Sequence, residues 1–308
     1  MEKKFSLVIP VAPERSAPIL QSINELDYPK GNFEVIVIRG RNPSEQRNKA
    51  AEQSKFDTIV FLDDDAHIER DYLKKIEEFT KEHPEIDIAG GPQLTPEGEI
   101  GFAKISGYAL SSLFGAWKVS NRYSGKKPIL NADETMLTSA NLFCKREVFD
   151  KVKFDINLFP GEDPKFISDA KKFGFKVAYS PDIRIYHKRR ADANSLMKQI
   201  FLYGKTRPLK EKFIETLKMP FFLIPSLFIL YLLFLLLFLI YPLQFFLKYK
   251  LLILTPLMAY VALIILFSIY ESYKNKDYKA VFFLPIIYFI IHLSYGAGMI
   301  YGYLKKFF

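Results

Sequence analysis

The chain holds one cysteine, Cys144, in 308 residues, so no disulfide can close within it, as suits a cytoplasmic domain. A signal-peptide pattern is also missing: Met1-Glu2-Lys3-Lys4 runs straight into the strand-like segment 5–10. There is no internal repeat and no low-complexity segment apart from an apolar tail. What that tail lacks is charge. After Met219 the only charged residues are Lys248, Lys250, Glu271, Lys274, Lys276, Asp277, Lys279, Lys305 and Lys306, which leaves three uncharged stretches, 219–247, 251–270 and 280–304. Each reaches the roughly 20 residues needed to cross a bilayer core, so three membrane-spanning helices are predicted behind a soluble front part. A strong basic surplus is absent too. The net charge of +9 falls, in the front part, to 36 basic against 32 acidic residues, too mild for a nucleic-acid partner. The excess instead borders the membrane segments: Lys205, Arg207, Lys210, Lys212 and Lys218 precede the first, and Lys274, Lys276 and Lys279 lie between the second and third. Positive charge marks the cytoplasmic side, so the front domain is expected in the cytoplasm, anchored in the cell membrane.

The front part alternates strand-like and helix-like patterns. Strands are predicted over 5–10, 33–38, 58–62, 86–89, 176–179 and 183–186. Helices are predicted over 17–26, 44–54 (capped by Ser44), 71–83 and 165–173, with another starting at Arg146. Regularity fails from about 90 to 142, a stretch rich in glycine, serine and aromatics that includes the only tryptophan, Trp117. The alternation predicts a mostly parallel, nucleotide-binding α/β sheet sandwiched by helices, followed by an all-α transmembrane region. The expected organisation is a catalytic domain over 1–191, an amphipathic segment over 192–218 lying in the membrane interface, and the membrane helices over 219–308.

The most informative residues follow the run Thr58-Ile59-Val60-Phe61-Leu62, which reads as a strand buried on both faces. Its carboxyl end carries Asp63-Asp64-Asp65, where open α/β sheets bind ligands. Side chains alternate along a strand, so Asp63 and Asp65 can share a side while Asp64 points opposite. Two same-side carboxylates suit a hard divalent cation that also holds the phosphates of a nucleotide. An acidic turn capping the next helix is the alternative reading.

The strand followed by Asp-x-Asp, the later Gly161-Glu162-Asp163 and the membrane tail together resemble the family 2 glycosyltransferases of GT-A fold, particularly membrane-anchored members of polysaccharide and lipid-linked glycan assembly. The resemblance covers about residues 5–215. It implies an inverting, metal-dependent enzyme that moves a sugar from a UDP- or GDP-linked donor to a polyprenyl phosphate or lipid-linked glycan. It assigns the metal, Mg²⁺ or Mn²⁺, to Asp63, Asp65 and His187, the base to Asp163, and a supporting role to Glu162. Pro10, Glu14, Arg39, Arg47, Asp63, Asp64 and Asn141 are then expected around the nucleotide sugar. Arg189, Arg190 and Arg207 are candidates for diphosphate or lipid phosphate, because the guanidinium fork matches such oxygens.

Two departures stand out against that family. Gln199-x-x-x-Tyr203-Gly204-x-x-Arg207 lies where processive members carry a Gln/Arg motif ending in tryptophan, yet Pro208 follows Arg207, which favours single-sugar transfer. The aspartate that usually contacts the nucleobase after the second strand is replaced by Arg39, which accepts no hydrogen bond, so the nucleotide stays open. A sugar nucleotidyltransferase is a rival, disfavoured because 10–15 contain no glycine for a phosphate loop. A catalytically silent nucleotide-sugar-binding scaffold is the other.

Overall fold

A computed structural model describes residues 2–125, 127–240 and 249–307. The chain forms two compact units, Met1–Glu99 with Lys118–Arg189, and Ile100–Trp117 with Arg190–Phe308.

The first unit is built on a six-stranded mixed sheet. In chain order its elements are β1 (Phe5–Val11), α1 (Ile19–Asn24), β2 (Phe33–Arg39), α2 (Pro43–Gln53), β3 (Thr58–Leu62), β4 (Ala66–Ile68), α3 (Tyr72–Glu82), β5 (Ile88–Gly90) and β6 (Gln93–Leu94). After the excursion of Ile100–Trp117 into the other unit come β7 (Asn141–Lys145), α6 (Arg146–Lys151), α7 (Glu162–Lys172), β8 (Val177–Tyr179) and β9 (Ile185–His187). The sheet order is β2-β1-β3-β7-β5-β8, with β7 antiparallel to both neighbours and the other pairs parallel.

Alternation along the central strands explains the uncharged runs. Leu7, Ile9, Val60 and Leu62 pack on one face against Ile19, Ile23, Leu73 and Ile76 of α1 and α3. Val8, Ile59 and Phe61 pack on the other against Ala50, Phe149, Phe166 and Ile167 from α2, α6 and α7. A strand covered on both sides has no solvent face, so both parities are apolar. Complete burial of a Phe or Ile side chain contributes about 1.5–3 kcal/mol. Pro10 does not stop β1, which continues to Val11, because the pairing with β3 already ends at Val8↔Phe61 and no ladder bond to β3 is lost.

Several local expectations change. The cap of α2 is Asn42, whose side chain accepts from the Glu45 amide, with Pro43 as the first helical residue; Ser44 lies inside the helix. The segment near 183–186 does not close the main sheet. As β9 it joins a separate three-stranded sheet, β4-β9-β6, whose two- and three-residue strands carry too little periodicity to read from sequence. The irregular middle contains a helix, α4 (Gly101–Ser111), and a short α5 (Leu113–Ala116), both in the second unit.

The second unit continues with α8 (Ala193–Lys210), α9 (Phe213–Leu217), α10 (Ile224–Ile240), α11 (Lys250–Lys274) and α12 (Ala280–Phe307). Among the described residues, three helical segments are long and apolar enough to cross a membrane: Pro220–Phe238, Lys250–Lys274 and Ala280–Lys306. The end of the predicted first stretch, 241–247, lies outside the described residues, as does Lys248. The apolar face expected to put α8 in lipid is buried within protein at Leu196 and Ile200. α8 packs along α12 backbone to backbone, because a Cβ at Gly298 would collide with the Phe201 carbonyl and one at Gly204 with that of Tyr295. His292 of α12 meets the Phe114 carbonyl at 2.9 Å through Nε2 and the Tyr260 hydroxyl at 3.0 Å through Nδ1. A carbonyl only accepts, so Nε2 carries the proton and Nδ1 accepts from Tyr260. His292 thus ties α5 to both long helices.

Candidate active site

β3 ends buried at Leu62, and the chain turns through Asp63–Asp65 into β4, closed by the Ala66 amide on the Asp63 carbonyl at 3.2 Å. The antiparallel register of β4 with β9 pairs Ala66 with His187. That register brings a residue more than a hundred positions away beside Asp65, with His187 Nε2 3.0 Å from Asp65 Oδ1. One ligand atom each from Asp63, Asp65 and His187 lie within 4.8 Å of one another. Two carboxylate oxygens and an imidazole nitrogen form a donor set that fits a divalent cation while leaving most of its coordination open. Asp64 is 4% exposed, with its Oδ1 3.3 Å from Arg15 Nη2, its backbone carbonyl accepting from the Ile19 amide and its Oδ2 without a hydrogen bond.

Charge in this corner is strongly coupled. Burial works against ionised Asp65, yet hydrogen bonds and charges from His187 and Arg15 hold its carboxyl well below the usual range. Burial likewise disfavours the His187 imidazolium, but Asp65 outweighs it and raises that pKa. Asp64 is pushed up by burial despite Arg15 at 3.3 Å.

The second acidic pair begins α7. Gly161, at φ +117°, is the residue before the helix, a left-handed conformation that favours glycine. Glu162 and Asp163 therefore stand in the first turn, where the helix dipole favours negative charge. Asp163 is not the cap; its Oδ1 accepts from the Ser139 hydroxyl at 2.8 Å. Glu162 is buried and turns toward Arg47, whose Nη1 is 2.9 Å from Glu162 Oε1 while Nη2 is 2.9 Å from Asp63 Oδ1. Arg47 thus joins the two acidic clusters from below rather than reaching outward to a nucleotide, and its side chain is 4% exposed. Burial and the neighbouring Asp163 raise the Glu162 pKa well above its ordinary value. The Arg47 charge opposes them but is shared with Asp63.

Other expected residues lie elsewhere. Asn141 does not face a sugar pocket: it is wholly buried in β7, where its Oδ1 accepts from Tyr72 at 2.7 Å and its Nδ2 donates to the carbonyls of Ile183 (2.7 Å) and Pro92 (3.3 Å). Arg39 folds back on the first loop, its Nη1 donating to the carbonyls of Ala12, Pro13 and Arg15 at 3.0–3.3 Å. Pro10 is buried in β1, and Glu14 is exposed in the loop that follows. Arg189 bonds the Thr95 hydroxyl at 3.0 Å and the Gln93 carbonyl, with its guanidinium 4.8 Å from the Tyr123 ring centre. In the second unit, Arg190 donates to Gln199 at 3.3 Å. Buried Arg207 pairs with Glu211 at 2.9 Å and stacks 3.9 Å above the Phe222 ring, so its fork is turned to protein rather than to a phosphate. His67 is exposed on β4, and Trp117 stands half-exposed at the end of α5.

Two members of the constellation escaped the sequence. Ser139, inside Thr138-Ser139-Ala140-Asn141, is the residue of that string that touches Asp163. Arg15 lies 2.6 Å from Asp65 Oδ2, and its only sequence signal was a cation in the loop after β1.

Residues 58–301 match the family model described as glycosyl transferase family group 2. No curated protein sequence matches the chain. Among solved structures, the mannosyltransferase PcManGT from Pyrobaculum calidifontis, in complex with GDP-Man and Mn²⁺, superposes with a TM-score of 0.50 at 13% identity. That alignment covers 68% of this chain and 65% of that one. TarS 1-349 of S. aureus aligns with a TM-score of 0.44 at 16% identity, over 65% of this chain and 64% of TarS 1-349. The chain therefore spans less than two thirds of the length of these relatives. At such identities the PcManGT likeness speaks to the fold, a mixed sheet flanked by helices of GT-A type.

Proposed function

The chain belongs to glycosyl transferase family group 2, and on that premise we propose that it is a glycosyltransferase that transfers a sugar with inversion from a nucleotide sugar to a membrane-bound, lipid-linked acceptor. The observation that carries the proposal is the convergence of Asp63, Asp65 and His187, with Asp63 joined through Arg47 to Glu162, the neighbour of an Asp163 that does not cap its helix and is oriented by Ser139. A cation held by Asp63, Asp65 and His187 would offset the charge developing on the departing diphosphate, and the imidazole favours Mn²⁺ over Mg²⁺. Asp163 accepts the proton of the acceptor hydroxyl as its oxygen bonds to the anomeric carbon. The bond from that carbon to the diphosphate breaks on the opposite side, and nucleoside diphosphate leaves. A single carboxylate base with attack opposite the leaving group inverts the centre. Glu162, buried against Arg47, positions Asp163 rather than meeting the acceptor.

The three long apolar helices support an anchored enzyme, and the lysines and arginines flanking them support a site on the cytoplasmic face of the cell membrane. The catalytic residues all fall within 1–191, with 219–308 as the anchor. A lipid-linked acceptor, a polyprenyl phosphate or growing glycan, suits an enzyme held at that surface.

The test uses detergent-purified protein with UDP- and GDP-linked sugars, polyprenyl phosphate and Mn²⁺, and measures nucleoside diphosphate release. Release from one donor, abolished by EDTA and lowered about 10²–10⁴-fold in Asp163→Asn, is expected. Release of pyrophosphate from a nucleoside triphosphate would replace this reading with nucleotidyl transfer. Donor binding without turnover across a full acceptor panel would leave a binding scaffold.

A further inference from the structure

Arg15 sits in the loop between β1 and α1, at the carboxyl end of the sheet where open α/β folds take phosphates. Its position is built rather than incidental. The Arg15 amide closes a turn on the Ala12 carbonyl at 3.1 Å, and Arg39 ties down three carbonyls of the same loop, including that of Arg15. The side chain then reaches across to the acidic cluster, with Nη2 2.6 Å from Asp65 Oδ2 and 3.3 Å from Asp64 Oδ1. The other oxygen of Asp65 faces His187. Both oxygens of a carboxylate in the cation-binding group are therefore already engaged, one by the Arg15 guanidinium and one by the His187 imidazole, while half of the Arg15 side chain remains open to solvent.

A divalent cation entering this group meets a guanidinium of like charge on the same carboxylate. An added anion relieves that conflict, and a diphosphate presents paired oxygens that match the guanidinium fork. We infer that Arg15 receives the diphosphate of the nucleotide, and that its ion pair with Asp65 withholds that carboxylate from the cation until the diphosphate arrives. The inference rests on the nucleotide-sugar reading above. It also gives Arg39 a function in place of contact with the nucleobase, namely fixing the loop that carries Arg15.

The experiment titrates Mn²⁺ into full-length protein in detergent, following the free aquo ion by electron paramagnetic resonance, with and without UDP or GDP. For the unaltered protein, nucleoside diphosphate should sharply tighten Mn²⁺ binding. Arg15→Ala should bind Mn²⁺ alone about fivefold more tightly, the worth of one exposed ion pair, and should lose most of the tightening by nucleotide. Arg15→Lys, which keeps the charge but not the fork, should bind Mn²⁺ alone like the unaltered protein and nucleoside diphosphate about tenfold more weakly. Unchanged Mn²⁺ and nucleotide binding in Arg15→Ala would overturn the inference and leave the proposed function standing. If the unaltered protein binds neither Mn²⁺ nor nucleotide, both fall together.

Discussion

Arg47 bridges two acidic groups, and its removal tests whether they are one electrostatic unit. Arg47→Met keeps an unbranched apolar stem but takes away the guanidinium, with its place 5.6 Å from the Phe154 ring centre and both 2.9 Å ion pairs, leaving Glu162 buried without a cation. Breaking a buried pair from one side costs about 3–5 kcal/mol. In a unit of this size, ~3 kcal/mol lowers the melting temperature by roughly 6–12 °C. Glu162→Gln removes the charge and keeps the shape, so it should cost about 1 kcal/mol, and the double variant should be little worse than Glu162→Gln alone. The sign of the pH dependence follows from Glu162. Its folded pKa lies above the unfolded 4.5, so its contribution is complete below that value and is lost as pH rises through the folded pKa. Arg47 limits that loss, and without it the folded pKa climbs further. The Arg47→Met penalty should therefore be smallest near about pH 5 and largest near about pH 8. Thermal unfolding in detergent for the four proteins at both pH values is the assay. Additive single and double effects, or a penalty equal at the two pH values, would refute the coupling.

Two further outcomes follow from the geometry. Ser139→Ala removes the hydroxyl that orients Asp163 and should lower kcat about tenfold while the dissociation constant for nucleoside diphosphate, read by calorimetry, stays unchanged; a matching loss of binding would assign Ser139 to the nucleotide instead. Gly298→Val drives a side chain into the Phe201 carbonyl and should destabilise the C-terminal unit by about 1–3 kcal/mol, with Gly298→Ala milder, in melting experiments that a neutral valine variant would contradict.

Local properties of the chain determined a good deal. A five-residue run with no polar face must be a central strand, and three uncharged stretches of bilayer length must be apolar helices, because each statement depends only on residues adjacent in sequence. The Asp63–Asp65 triplet at the end of that strand was legible for the same reason, although it forms a turn rather than continuing the strand. Tertiary structure alone decided which side chains meet. His187 reaches Asp65 through a register between two three-residue strands, and Arg47 reaches Glu162 across 115 positions. Asn141, by side-chain chemistry a good sugar ligand, was drawn into the core, where Tyr72 and the loop carbonyls of Pro92 and Ile183 take up its amide. The apolar face of α8 was expected in lipid, yet Leu196 and Ile200 are buried in protein, and glycines on α8 and α12 let the two backbones close together. A polar group takes whichever partner the fold brings within 3 Å, and that choice depends on long-range register and burial, which no stretch of sequence contains.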